Sequence, residues 1–148
     1  MEGIPPRLTI VTLGVRQMST LRAFYTGLGW PEQPGASDQH CMYLLGGTLL
    51  ALYPIDDLAA EAAPGEPLTK RSWGGHTFAL NVDERDQVDE VVRAMCAKGA
   101  RKVGQVVDRP WGGRSGYVAD PEGNRWEIGW APGLNLDERG TVTSVDPA

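Results

Sequence analysis

The chain has 148 residues, a length that suits one compact domain or two small modules sharing a core. Its formal charge of −5 argues against a protein that reads the nucleic-acid backbone, because that task needs clustered Lys and Arg. A charged fraction of 22% argues against wholesale disorder, and no apolar run reaches the roughly 18 residues of a membrane-spanning helix. We therefore expect a globular protein with neither nucleic-acid nor membrane partners.

The cysteine count and the first residues indicate a cytoplasmic protein. Cys41 and Cys96 are too few for a disulfide framework, and they fit a reduced compartment. Residues 1–6 carry neither the basic region nor the apolar core of a signal peptide, so secretion is not expected. The 19 Gly and 11 Pro favour many short elements joined by tight turns.

The first half of the chain predicts a strand, a helix and a hairpin. Residues 7–15 are β-branched and nearly continuously apolar, which is typical of a buried strand. Apolar side chains then recur at the spacing of one helix face, at Met18, Leu21, Tyr25 and Leu28. Gly29 is placed to end that helix. Strands are predicted at 41–45 and 48–53, around the turn Gly46-Gly47.

The second half predicts the same order of elements. Residues 57–73 have no sustained apolar period, and they predict a surface connection with one helical turn at 57–63. A strand at 76–82 precedes a helix whose apolar stripe is Val88, Val91, Val92, Met95 and Cys96. Strands at 102–107, 114–119 and 124–130 follow, the last two around a type I turn at Asp120-Pro121-Glu122-Gly123.

We interpret both halves as the order β-α-β-β-β, with two of the three later strands marked in the first half, which suggests an internal repeat. The predicted organisation is a tail at 1–6, a first module at 7–56, a connection at 57–73 and a second module at 74–132. Residues 133–148 are polar, and we expect them to form a loose tail, unless Leu134 and Leu136 hold it against the domain.

Three stretches carry a resemblance to a known family: residues 11–30, 44–54 and 115–130. The most specific piece is the pattern D-P-x-G-N-x-W-E at 120–127. The sequence resembles the vicinal oxygen chelate superfamily, which includes glyoxalase I, bleomycin-resistance proteins, fosfomycin-resistance enzymes and extradiol dioxygenases. The resemblance implies an α+β fold in which two βαβββ modules form a curled mixed sheet around one cleft.

The resemblance also assigns metal ligands to the first and last strands of each module. The corresponding residues here are Ile10, Ala51, Thr77 and Glu127, and of these four only Glu127 carries a strong ligand. His76 would need a one-residue shift, which moves a side chain to the other face of its strand. We therefore expect a protein without a metal or another cofactor.

Glu127 is the first candidate site residue, because the resemblance places it in the cleft. It would accept hydrogen bonds, balance the charge of a basic ligand, or act as a general base if burial raises its pKa. Alternatively, it is a carboxylate paired with Arg125 or Arg114. The neighbouring Trp126 and Ile128 point to the opposite face and are predicted core residues.

Five further residues are candidate ligand contacts: Tyr117, Trp111, Tyr53, Thr12 and His76. Tyr117 and Trp111 would form part of an aromatic box around a planar ligand. Trp111 has a second interpretation, in which it only anchors the loop at 108–114. Tyr53 and Thr12 share their strand faces with Ala51 and Ile10 in the predicted cleft.

These features lead to three hypotheses about function. The leading one is a metal-free binder of a small organic molecule, aromatic or cationic, in an aromatic-lined cleft, as in bleomycin-resistance proteins. The alternative is a lyase, isomerase or dioxygenase of the same superfamily, either metal-dependent or using Glu127 as acid or base. A surface interaction module is the third. Whether the chain is an enzyme stays open, no catalytic residue is assigned, and a homodimer is expected by analogy alone.

Overall fold

A computed structural model describes residues 6–69 and 73–147. Its first elements are β1 (Ile10–Val15), α1 (Met18–Gly27), β2 (Cys41–Leu45), β3 (Thr48–Pro54) and α2 (Ile55–Ala62). The next are β4 (Phe78–Asn81), α3 (Gln87–Ala97), β5 (Arg101–Asp108), β6 (Arg114–Ala119) and β7 (Arg125–Trp130). Two short strands follow, β8 (Leu134–Leu136) and β9 (Val142–Val145).

The first sheet has the strand order β1-β3-β2, with β1 parallel and β2 antiparallel to β3. Between α1 and β2, where the repeat predicts a further strand, the structure has an isolated bridge between Glu32 and Tyr43. Pro31 and Pro34 flank this bridge, and because proline has no amide hydrogen they interrupt a ladder.

The second sheet has four strands in the order β4-β7-β6-β5, with β4 parallel to β7 and the other pairs antiparallel. The predicted α+β fold with mixed sheets is confirmed. The helix ends are also as the sequence predicts, because Gly29 and Gly99 follow α1 and α3 with positive φ angles of 90° and 112°.

The connection after the first module is more ordered than the sequence suggests. The predicted single turn at 57–63 is instead the eight-residue helix α2, which begins at Ile55. Ile55 and Leu58 lie one helical turn apart and pack against Gly14 of β1, where an added Cβ would approach an Ile55 carbon to 3.0 Å. Partial burial of these two side chains gives the segment a helical face that its Ala-rich composition does not reveal.

The expectation of a loose tail after residue 132 is wrong. β8 and β9 pair as an antiparallel hairpin, with Leu134 opposite Val145 and Leu136 opposite Val142. The turn of the hairpin is held by Asp137, whose Oδ1 accepts the backbone N–H groups of Arg139 and Thr141, each at 2.9 Å. A side chain that satisfies its own turn in this way needs no long-range partner.

One core joins the two sheets and the helices α1 and α3. Its members have less than a tenth of their surface exposed, and those from the first half include Leu13, Val15, Leu21, Tyr25, Tyr43, Leu50 and Leu52. Those from the second half include Val88, Val92, Met95, Val118, Trp126 and Ile128. Each sheet therefore has a core face and an opposite face, which we call the outward face.

Candidate functional site

The outward face of the second sheet carries Glu127. The alternation along β7 turns Trp126 and Ile128 into the core and Glu127 away from it, as the sequence predicts. Glu127 lies between Tyr117 of β6 and Ala79 of β4 in the strand register.

The predicted alternative, in which Arg114 or Arg125 pairs with Glu127, is wrong. Arg114 binds Asp89 at 2.7 Å and Asp108 at 3.0 Å. Arg125 instead donates from Nη1 to the carbonyl oxygen of Gly123 at 2.6 Å.

Arg109 completes a polar cluster beside Glu127 that sequence reasoning missed. Its Nε donates to the Oγ of Ser115 at 2.8 Å, and its guanidinium lies 5.8 Å from the ring centre of Tyr117. Ser115 is fully buried beneath it. Burial, together with the neighbouring Glu127, raises the pKa of Tyr117 above its usual 10.0, so this hydroxyl stays protonated at neutral pH.

A groove of about 720 Å³ lies between the two sheets. One wall is formed by the first sheet and the other by the edge strand β4, and the β8–β9 hairpin runs along its side. The main apolar lining residues are Leu8, Val11, Leu45, Leu49, Leu50, Phe78, Ala79, Trp126 and Val142. A second cavity of about 280 Å³ continues it under the hairpin and shares Leu45, Ala79, Trp126 and Val142 with it.

Aromatic rings are concentrated where the two cavities meet. Trp126 lines both, and Trp30 lines the smaller one, with their ring centres 5.5 Å apart. Tyr25 stacks on Trp30 at 5.5 Å, and its hydroxyl accepts a hydrogen bond from Trp126 Nε1 at 3.0 Å. The indole of Trp126 is therefore held in one orientation before any ligand arrives.

The structure separates the predicted site residues into several places. Tyr117 and Glu127 are neighbours on the second sheet, whereas Thr12 and Tyr53 lie on the outward face of the first. Tyr53 donates to Glu61 of α2 at 2.9 Å and so contacts a helix.

Two further predicted residues lie at loop positions. Trp111 is 52% exposed and its ring lies over Gly113, as the loop-anchor interpretation requires. His76 is exposed just before β4, where its backbone carbonyl accepts the indole N–H of Trp73 at 3.0 Å. None of the six predicted residues is among those that line the two cavities. Their role in binding stays a prediction.

The four positions that the resemblance assigns to metal ligands do not fit a divalent ion. Ile10 and Ala51 offer only hydrocarbon, and Thr77 offers a neutral hydroxyl. The neighbours of Glu127 across the sheet, Ala79 and Tyr117, add neither a carboxylate nor an imidazole. Within residues 6–69 and 73–147, no three His, Cys, Asp or Glu side chains are grouped closely enough to hold an ion.

Comparison with known proteins identifies the family. The profile of the glyoxalase/bleomycin resistance protein/dioxygenase superfamily matches residues 7–128. The chain belongs to this superfamily. The resemblance stated from the sequence is therefore confirmed at the level of family and fold.

Individual relatives agree with this assignment. A glyoxalase-related enzyme from Fulvimarina pelagi has a similar structure, with a TM-score of 0.83, 26% identity and coverage of 95% of this chain and 99% of that one. The lactoylglutathione lyase of Agrobacterium tumefaciens shares the fold, with a TM-score of 0.66, 23% identity and coverage of 86% and 95%.

A relative from Mycobacterium tuberculosis, named only as an uncharacterized protein, is 33% identical over 85 residues. This match covers 57% of the present chain and 49% of the relative, so the chain spans about half the length of the relative.

The structure bears on whether the chain could cross a membrane, but not on its cellular compartment or its oligomeric state. In the described part of the chain, no helix is both long and apolar enough to cross a bilayer. The cytoplasmic location and the homodimer stay predictions.

Proposed function

We propose that this member of the superfamily binds a small organic molecule with an aromatic body in the groove between its two sheets. The observation that carries the proposal is the groove itself, whose volume of about 720 Å³ lies in the range of small-molecule sites. Among the described residues, its lining and that of the adjoining 280 Å³ cavity contain no Asp, Glu, Lys or Arg. Most lining side chains are hydrocarbon and the polar ones are the hydroxyls of Thr48, Thr77 and Thr141, so an aromatic ring can be buried against this lining beside neutral polar groups.

The fixed indole of Trp126 supports an aromatic ligand. Its N–H is bound to Tyr25 and only 4% of the residue is exposed, so the indole borders the cavities over a small area and offers them no free donor. Glu127 belongs to the opposite face of β7, and it lines neither cavity. We therefore assign recognition of the ligand's body to the groove and not to the carboxylate that the sequence singles out.

We further propose that binding needs no metal. The support is the donor set, since three of the four positions at which the resemblance places ligands carry Ile10, Ala51 and Thr77. Affinity for the ligand should then be the same in the presence of a chelator and in the presence of added divalent ions. A dependence on one divalent ion that Glu127→Gln abolishes would contradict this proposal.

Filling the groove tests its role directly. Val142 is 55% exposed and lines both cavities, so Val142→Trp places an indole in the groove without disturbing the core. Val145, on the same strand, is 71% exposed and lines neither, so Val145→Trp is the matched control. With 2-(1-naphthyl)ethanol as probe in calorimetric titrations, we expect Val142→Trp to weaken binding at least tenfold and Val145→Trp to leave it unchanged. Equal affinity in both variants, or no binding to the unmodified protein, would refute the proposal that the groove is the binding site.

A second candidate function, acid–base catalysis, is favoured by the cluster on the outward face of the second sheet. A protonated Tyr117 beside Glu127, with Arg109 above the ring, is an acid and a base next to a positive charge. The lyase among the relatives suggests S-lactoylglutathione as the first substrate to test. Turnover lost in Glu127→Gln but kept in Val142→Trp would favour catalysis at this face over binding in the groove.

A further inference from the structure

The 280 Å³ cavity that continues the groove adjoins a polar cavity at the carboxyl end of β4. This cavity of about 130 Å³ is lined by polar groups of Asn81, Asp83 and Asn135, together with apolar neighbours such as Trp130 and Leu136. Asn81 and Leu136 also line the 280 Å³ cavity, so the two spaces adjoin. A molecule with its ring beside Trp126 would have a second end within reach of these polar groups.

Several hydrogen-bond acceptors line this 130 Å³ cavity, which we call the polar end of the site. The amide nitrogen of Asn135 already donates to Ser144 Oγ at 3.0 Å and to the carbonyl of Gly133 at 3.4 Å, which leaves its oxygen to accept. Asp83 contributes a carboxylate that forms no ion pair or side-chain hydrogen bond with any residue in the described ranges. Asn81 adds a third oxygen, Oδ1, which lies 3.3 Å from the position that a Cβ on Gly129 would occupy.

Such a set of oxygens complements a cation that donates several hydrogen bonds. An alkylammonium group has three donors and no acceptor, and hydrogen bonds between a charged donor and a carboxylate are among the strongest in proteins. A ligand with a carboxylate would be repelled by the charge of Asp83, because no Lys or Arg is among the described residues that line the cavity. The apolar section next to this end accommodates hydrocarbon, so the complementary molecule has one end of each kind.

We propose that the ligand is an aromatic amine, with its ring against Trp126 and Trp30 and its ammonium group bound by Asp83, Asn81 and Asn135. The proposal rests on the proposed function and names the chemical class that the same groove takes. Asp83 here has the role of counter-charge that the sequence suggests for Glu127.

A matched pair of probes and a matched pair of variants test the assignment. The probes are 2-(1-naphthyl)ethylamine and 2-(1-naphthyl)ethanol, which differ in the ammonium group. The variants are Asp83→Asn and Asp86→Asn, which remove the same charge within one loop, and of the two only Asp83 lines the cavity. The Asp86 side chain is 94% exposed and pairs loosely with Arg85 at 3.7 Å. Asp86→Asn therefore controls for the long-range electrostatic effect of removing one negative charge from this loop.

Calorimetry at low ionic strength should show the amine binding more tightly than the alcohol. We expect Asp83→Asn to weaken binding of the amine by about three- to fivefold, the upper range for a charged hydrogen bond to an exposed carboxylate. Asp86→Asn should leave amine affinity within about twofold, and neither variant should change affinity for the alcohol. Added salt should weaken binding of the amine and leave binding of the alcohol unchanged.

The outcomes separate this inference from the function on which it rests. If the alcohol binds and Val142→Trp abolishes its binding, but Asp83→Asn leaves the amine unaffected, the groove stands and the amine assignment is overturned. If Asp86→Asn weakens the amine as much as Asp83→Asn, the assignment also fails, because the general field then explains the effect. If neither probe binds the unmodified protein, the proposed function fails.

Discussion

Replacing Tyr25 by Phe removes one hydroxyl that joins the two halves of the chain. Tyr25 lies on α1 and is fully buried, and its hydroxyl donates to Oδ2 of Asp120 at 2.6 Å. The same hydroxyl accepts the indole N–H of Trp126 at 3.0 Å. Burial, and then the charge of Asp120, raises the pKa of Tyr25 well above its usual 10.0, so the donor keeps its proton over the whole working range of pH.

The expected cost follows from these two contacts. A hydrogen bond to a charged acceptor contributes about 1.5–3 kcal/mol, and a buried N–H left without a partner costs about 1–3 kcal/mol. The ring itself is kept, so stacking on Trp30 and the packed volume do not change. Because the two contributions share one atom and are not additive, we expect a loss of about 3 kcal/mol, or roughly 6–12 °C in Tm.

Urea unfolding followed by far-ultraviolet circular dichroism measures this loss as a change in midpoint at constant slope. The control is Tyr53→Phe, since the Tyr53 hydroxyl meets an exposed Glu61 at 2.9 Å and its loss should cost under about 0.5 kcal/mol. A loss below about 1 kcal/mol in Tyr25→Phe would refute the argument that this hydroxyl connects α1 to the second module.

Two further predictions concern stability. Arg114→Gln should destabilise the protein near neutral pH, because the guanidinium holds the pKa of Asp89 below its ordinary 3.8. That stability is present above the ordinary pKa and is lost as the carboxylate is protonated, so the difference between the two proteins should vanish in acid; a difference that persists there would contradict it. Gly113→Ala should cost about 1–3 kcal/mol, because the new Cβ would lie 1.8 Å from the Trp111 ring and 2.5 Å from the carbonyl of Trp130. An unchanged Tm in thermal unfolding would contradict this prediction, because it would show that the loop accommodates the methyl group without strain.

The local pattern of apolar and polar residues was sufficient to predict most of the helices and strands. Each amphipathic stripe, such as Val88 to Cys96, appears in the structure as a helix, because a helical period leaves no other way to bury those side chains. The resemblance to the family rests on three stretches of sequence, and its most specific piece, at 120–127, also specifies a hairpin and the face of Glu127, because a turn is followed by alternating residues. The strand that the repeat predicts between α1 and β2 is reduced to a bridge between Glu32 and Tyr43, and the neighbouring prolines at 31 and 34 account for this.

The groove was not predictable in this way, because its walls come from segments far apart in the chain. Leu49, Ala79, Trp126 and Val142 meet only once the two sheets share a core and the β8–β9 hairpin folds back beside them. Trp126 reads as a core residue, and its 4% exposure agrees, yet the same ring borders the cavity at the edge of that core.

The amino-acid sequence by itself therefore determined most of the elements, the family and the absence of three ligand side chains, all of which depend on residues close together or on their identity. Tertiary structure alone decided that the face of β7 that carries Trp126, and not the face of Glu127, borders the groove, and that Asp83 lines a polar cavity beside it. The physical reason is that the alternation of a strand fixes which residues share a face, whereas the packing of sheets and hairpin decides which face encloses a space.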